Sequence, residues 1–222
     1  MIKSIRFLSL LIVFLLLSTY YPTYKNDSLS LIFPIKKIKI ENNKILEKNE
    51  LLYELENIKG KNLLLIDDTK IKFTMSKFDF ILGFQIKKIY PETIKVLIFE
   101  KKPIAIYVEE KKKFYITENG DSILYKELDE YSNLPLLFGK KKHFKNFFKD
   151  LKTISFPTDE IKSFHYFEIG RWDITFNDDR IIKLPEYNYM DMLKNFILIK
   201  NDKSFDKYKI FDYRIKDKLI LN

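Results

Sequence analysis

Few residues in this chain are suited to chemistry. Its two histidines, His143 and His165, could ligate a metal or move a proton, because imidazole titrates near neutrality. A metal site needs several converging donors, and the chain has no cysteine to join them. The carboxylate nearest to either histidine, Glu168, falls on the opposite face of the strand expected around His165, since strand side chains alternate. Asp67-Asp68 and Asp178-Asp179 are paired carboxylates of the kind used in acid–base work. The first pair, however, stands where a helix should begin and the second in a turn, so capping and solvation account for both. The five glycines stand singly, leaving no glycine-rich loop for a phosphate, and there is no Gly-x-Ser-x-Gly elbow. Trp172 sits in an alternating segment and reads as a core or interface residue. These observations predict a non-enzyme with no metal, no cofactor and no small-molecule substrate.

Composition narrows the class further. The 222 residues are 46% hydrophobic and 32% charged, with a formal net charge of +9. That balance suits a membrane-attached protein with one or two small domains. A basic chain can bind a polyanion, but the lysines here are interleaved with Glu and Asp and form no arginine-rich stripe, so no nucleic-acid partner is expected. Without cysteine, disulfides are excluded.

At the N-terminus, Lys3 and Arg6 precede residues 7–21, which are apolar apart from Ser9, Ser18 and Thr19. As a helix that run spans about 22 Å, short of a ~30 Å hydrocarbon core unless Ile5 and the snorkelling Lys3 and Arg6 extend it. No small-residue cleavage site follows, while Tyr20, Tyr21 and Tyr24 resemble an interfacial belt. An uncleaved anchor is favoured over a secretory signal. The basic residues before it predict a cytoplasmic tail and an extracytoplasmic remainder.

Beyond a polar connector, residues 35–41 alternate as a strand, and Asn42 supplies a left-handed turn. Leu51, Leu52, Leu55 and Ile58 recur at helical spacing, with Gly60 as the cap beyond them. Asp67 or Asp68 can start a second helix carrying Ile71, Met75, Phe78 and Leu82. Residues 84–90 and 93–100 alternate as two strands of a hairpin, with Pro91 at the second place of the turn. Pro103 cannot donate to a ladder, so a new segment opens there. Asn119-Gly120 predicts a type I′ hairpin. Phe144, Phe147, Phe148 and Leu151 mark a helix, as do Met192, Leu193, Phe196 and Ile199 within 189–200. Strands are expected over 161–169, 171–176 and 180–184, with Asn177-Asp178-Asp179 turning between the last two, and over 209–215 and 219–221.

Lys88-x-Tyr90-Pro91-x-Thr93-Ile94-x-Val96-x-Ile98-x-Glu100-x-x-Pro103-Ile104-Ala105-x-Tyr107 resembles the segment that joins the POTRA domain to the β domain in the bacterial FtsQ/DivIB cell-division family. Leu134-Pro135-Leu136-Leu137-Phe138-Gly139, Arg171-Trp172-Asp173-Ile174-x-Phe176 and Ile182-Lys183-Leu184-Pro185-Glu186 also resemble it. So does Phe211-Asp212-Tyr213-Arg214, like the family's Val-Asp-x-Arg strand. Lys88 stands where the family often has Arg, and Asn42 where it usually has Gly.

The resemblance, over residues 34–214, implies an α+β fold. A single N-terminal transmembrane helix would lead into a small POTRA domain of order β-α-α-β-β and then a strand-rich β domain with flanking helices. In numbers, a cytoplasmic tail covers 1–6, the anchor 7–24, a connector 25–33, the POTRA domain 34–102 and the β domain 103–222. Pro91, Glu100 and Pro103 would form the junction between the last two.

It further implies a single-pass type II inner-membrane scaffold at the division septum, linking early division proteins to the septal peptidoglycan synthesis machinery. Its partners would be the coiled-coil proteins FtsB and FtsL and other membrane division proteins. In the family the end of the β domain receives a segment of FtsB, which fits a terminal strand with an unpaired edge. Asp212, Tyr213, Arg214, Ile215, Lys218 and Leu219 would then contact the partner. Tyr213, Ile215 and Leu219 would supply apolar contact, while Arg214 and Lys218 would meet acidic groups. The plainer alternative has Tyr213 and Arg214 completing the sheet, with Arg214 paired to Asp212 or Asp217. The second functional reading is a POTRA-bearing component of outer-membrane protein assembly or secretion.

Overall fold

The computed structural model describes residues 11–15, 32–216 and 218–222. Contact clustering divides it into two compact units. The first comprises the described residues up to Phe78 together with Gly83–Phe99, and the second Asp79–Leu82 with Glu100–Asn222. The anchor expected over 7–24 and the tail before it lie largely outside the described residues. Residues 11–15 are helical and carry five exposed apolar side chains, and among the described residues no helix is long and apolar enough to cross a membrane.

In the first unit, β1 (Lys37–Glu41), α1 (Lys48–Leu55), α2 (Asp68–Met75), β2 (Ile81–Ile89) and β3 (Thr93–Glu100) follow the expected order. The sheet order is β1-β3-β2, with β1 parallel to β3. Ile94, Val96 and Ile98 present one phase of β3 to the core, where Leu51, Leu55, Ile71 and Met75 of the helices are also buried. Asn42 takes φ +66° and its side-chain amide donates to the Ile98 carbonyl at 2.8 Å, so it both permits the turn and ties it to β3. Gly60 lies at φ +76°, beyond a short 3-10 turn over Glu56–Ile58. Asp67 caps α2 by accepting from Thr69 N at 2.8 Å.

The expected extent of the second helix is corrected. The second helix does not reach Leu82: it stops at Met75, and Leu82 is an exposed strand residue. A helix continued that far would carry Phe80 away from its place, where its ring meets Tyr115 edge-on and its carbonyl accepts from Lys101 N at 2.7 Å. The Tyr90–Pro91 bond is cis, in the turn between β2 and β3.

The second unit is one nine-stranded sheet with two helices. Its strands are β4 (Pro103–Glu109), β5 (Lys112–Thr117), β6 (Ser122–Leu124), β7 (Leu136–Phe138), β8 (Ile161–Tyr166), β9 (Trp172–Phe176), β10 (Ile181–Lys183), β11 (Ile210–Asp212) and β12 (Ile220–Leu221). They lie in the order β12-β11-β10-β9-β8-β7-β4-β5-β6. The pairs β4–β7, β7–β8 and β10–β11 are parallel. Helices α3 (Phe144–Thr153) and α4 (Tyr189–Ile199) lay their apolar faces on the sheet. Phe147 stacks on Trp172 at 4.3 Å between ring centres, and Phe196 meets Phe176 and Phe211 at 5.3 and 5.0 Å. Trp172 is therefore a core residue.

The Asn119-Gly120 hairpin exists but not as type I′, because only Gly120 has positive φ. Gly120 N donates to Thr117 O at 2.8 Å and Thr117 N to Asp121 O at 3.0 Å, which makes a three-residue loop ending in a left-handed glycine. The loop after β9 repeats this design with Asp179 at φ +66°. The strands expected over 161–169 and 209–215 are shorter, ending at Tyr166 and Asp212.

Candidate partner-binding edge

Over β8–β12 the two helices cover one face of the second unit's sheet and leave the other uncovered, whereas over β4–β6 that second face buries Ile106, Tyr115 and Ile123, and alternation assigns the residues. On β9, Trp172, Ile174 and Phe176 point to the helices, so Asp173 and Thr175 point away. Register then aligns a polar row across the uncovered face. His165 of β8 pairs with Asp173, Asp173 with Lys183 of β10, Lys183 with Asp212 of β11, and Asp212 with Ile220 of β12.

Electrostatics in this row follow from burial and pairing. Burial pushes the Asp173 carboxyl up, although Arg171, Lys183 and Arg214 draw it back. One oxygen of Asp173 and the Arg171 Nε are buried without a hydrogen-bond partner, 4.0 Å apart. Burial lowers the His165 imidazole, against the pull of Asp173. The hydrogen bonds from Arg214 hold Asp212 below the usual carboxylate range, although its burial opposes them.

The expected contact residues divide sharply. Asp212 is buried and accepts from Arg214 Nε at 2.8 and 3.0 Å. Tyr213, expected to face a partner, is also buried, and its hydroxyl donates to Asn195 Oδ1 at 2.8 Å. Its phenol is pushed far above its ordinary range by burial. The reason is that Tyr213 N donates to Lys183 O at 2.9 Å, which keeps the chain against β10 for one residue past the strand. Leu219 packs half-buried against the core. Arg214, Ile215 and Lys218 remain exposed, joined on the uncovered face by Ile220.

The edge itself belongs to β12, which folds back onto β11 and is last in the sheet. Asn222 N donates to Ile210 O at 3.1 Å and Ile210 N to Asn222 O at 2.9 Å, forming one doubly bonded pair. In an antiparallel ladder such pairs alternate with unbonded ones, so the Phe211–Leu221 pair is unbonded and the N–H and C=O of Leu221 point outward. Of the expected junction residues, Pro91 precedes β3 in the first unit, while Glu100 ends that strand and the buried Pro103 opens β4, both counted with the second unit. Sequence reasoning missed Asp173 and Lys183. Their signal was a charged residue on the off-core phase of an alternating strand.

Two family models cover the two units between them. A family model for the FtsQ-type POTRA domain matches residues 33–101, and one for the C-terminal part of cell division protein FtsQ/DivIB matches residues 105–214. The chain is 26% identical over 190 residues to a cell division protein FtsQ of Rickettsia conorii, covering 84% of this chain and 71% of that one. It is 28% identical over 106 residues to a cell division protein DivIB of Clostridium tetani, covering 47% of this chain and 39% of that one. Among solved structures, the extracytoplasmic domain of DivIB from Geobacillus stearothermophilus aligns with a TM-score of 0.35 at 19% identity, over 46% of this chain and 92% of that one. With the two matched segments adjoining and spanning both structural units, the chain belongs to the FtsQ/DivIB family of cell-division proteins.

Proposed function

We propose that this protein is a non-enzymatic scaffold of the division machinery, held in the inner membrane at the septum by residues 7–24. It would link early division proteins to septal peptidoglycan synthesis through the coiled-coil proteins FtsB and FtsL and other membrane division proteins. The observation that carries this reading is the open β12 edge, with the outward N–H and C=O of Leu221 and the exposed Arg214, Ile215, Lys218 and Ile220 beside it. An extended segment pairing there would gain affinity from main-chain hydrogen bonds, and its acidic residues would be read by Arg214 and Lys218.

Leu221→Pro is the test, because it removes the outward donor and no bond of the β11–β12 ladder. The variant should stay folded and lose at least about tenfold in affinity for the extracytoplasmic segment of the FtsB-type partner, some 1.4 kcal/mol. Undiminished binding by the folded variant would sink this edge as the docking site. Depletion in cells should give unseptated filaments, and normally divided cells would refute the scaffold role.

A further inference from the structure

Within the first unit, one end of the POTRA fold collects apolar side chains that are exposed among the described residues. Leu63, Leu64, Leu65 and Ile66 are consecutive, yet only Leu63 and Ile66 are buried. The Asn62 side chain accepts from Leu64 N at 2.7 Å and Leu65 N at 3.2 Å, which folds the backbone into a tip and leaves both leucines in solvent, 50% and 64% exposed. Ile32 and Phe33 stand beside this tip, for Leu63 N donates to Phe33 O at 2.9 Å. The Phe33 ring meets Tyr90 edge-on at 5.6 Å, and Ile32 and Tyr90 are each half-exposed. Five large apolar residues from three separate segments thus form a contiguous patch, unlike the scattered exposure normal on a soluble surface.

Cations rim the patch. Lys88 Nζ lies 3.4 Å from the carbonyl oxygens of Leu64 and Ile66, Lys61 precedes the tip, and Lys36 pairs at 2.9 Å with Glu92, two residues after Tyr90. Apolar side chains ringed by lysines match the boundary between acyl chains and anionic headgroups. The sequence brings a bilayer to this end. The apolar run over 7–21 stops ten residues short of Phe33's neighbour Ile32, a connector that reaches at most about 35 Å even fully extended.

We propose that this end of the POTRA unit rests on the membrane surface, with Leu64, Leu65, Ile32 and Phe33 entering the headgroup region and Lys61 and Lys88 meeting anionic phospholipid headgroups. This rests on the anchor reading above.

The chain lacks cysteine, so single labelling sites are clean. A fluorophore at Leu65→Cys and another at Glu41→Cys, at the far end of β1, would be compared in the full chain reconstituted into phosphatidylethanolamine–phosphatidylglycerol vesicles containing headgroup-proximal nitroxide lipid. Quenching at 65 should exceed that at 41 by about threefold or more, because an interfacial residue sits only about 5–10 Å inside the boundary. Equal quenching in protein that floats with the vesicles overturns the proposal and spares the anchor. Failure to float overturns both. Shielding at 65 that tracks protein density rather than nitroxide content overturns it in favour of contact between chains.

Discussion

Arg214 closes back on Asp212, two residues before it. Its Nε donates to both carboxylate oxygens, its terminal NH2 donates to Oδ2, and its backbone N–H reaches Oδ1 at 3.1 Å. The side chain of Asp212 thereby takes the backbone donor that a continuing strand would offer to a neighbour, and β11 ends there.

Asp212→Asn should therefore destabilise the second unit by about 1–2 kcal/mol at pH 7, since a charge-assisted pair is replaced by a weaker one. The sign of the pH dependence follows from the lowered Asp212 pKa. Its stabilisation is complete above the unfolded value of about 3.9 and is lost as pH falls through the folded value. Denaturant melts of both proteins from pH 7 to pH 2 should converge at the acid end.

Asp173 should behave in the opposite sense. Burial raises its folded pKa, so the wild type pays a growing cost as pH rises from the unfolded value through the folded one. Asp173→Asn should be neutral or stabilising at pH 7 and lose that advantage near pH 3. If the same change weakens partner capture, the carboxylate is kept for binding, and parallel melts and binding isotherms separate the two effects.

Asn42 offers a test of two roles in one residue. Asn42→Ala loses both the tolerance for φ +66° and the bond to Ile98 O, and should cost about 1–2 kcal/mol. Asn42→Gly restores the conformation alone and should recover part of that loss. Equal stability of the two variants would show that the hydrogen bond carries the effect.

Gly139 has φ +92°, and a Cβ placed there would stand 2.1 Å from the Tyr166 carbonyl oxygen. Backbone cannot yield as a side-chain end can, so Gly139→Ala should destabilise by at least about 2 kcal/mol by spreading the β7–β8 pair. Thermal unfolding measures it directly.

Much of this fold was legible in the sequence because its determinants are local. The alternation of Ile94, Val96 and Ile98, the phenylalanine spacing of α3, the left-handed Asn42 and the strand-stopping Pro103 each act over a few residues, as does the motif that resembles the family. What the sequence alone did not decide depends on neighbours distant in the chain. β11 pairs in parallel with β10 only after α4 has crossed the sheet, and that pairing sets Lys183 beside Asp212 and draws Tyr213 inward. The helix expected through Leu82 failed for a similar reason: its spacing was helical, but Phe80 has a partner in Tyr115 that periodicity cannot see. Which residues of the C-terminal segment face a partner was thus a matter of register between strands. A shift of one residue exchanges the two faces, and long-range pairing, rather than local propensity, fixes the register.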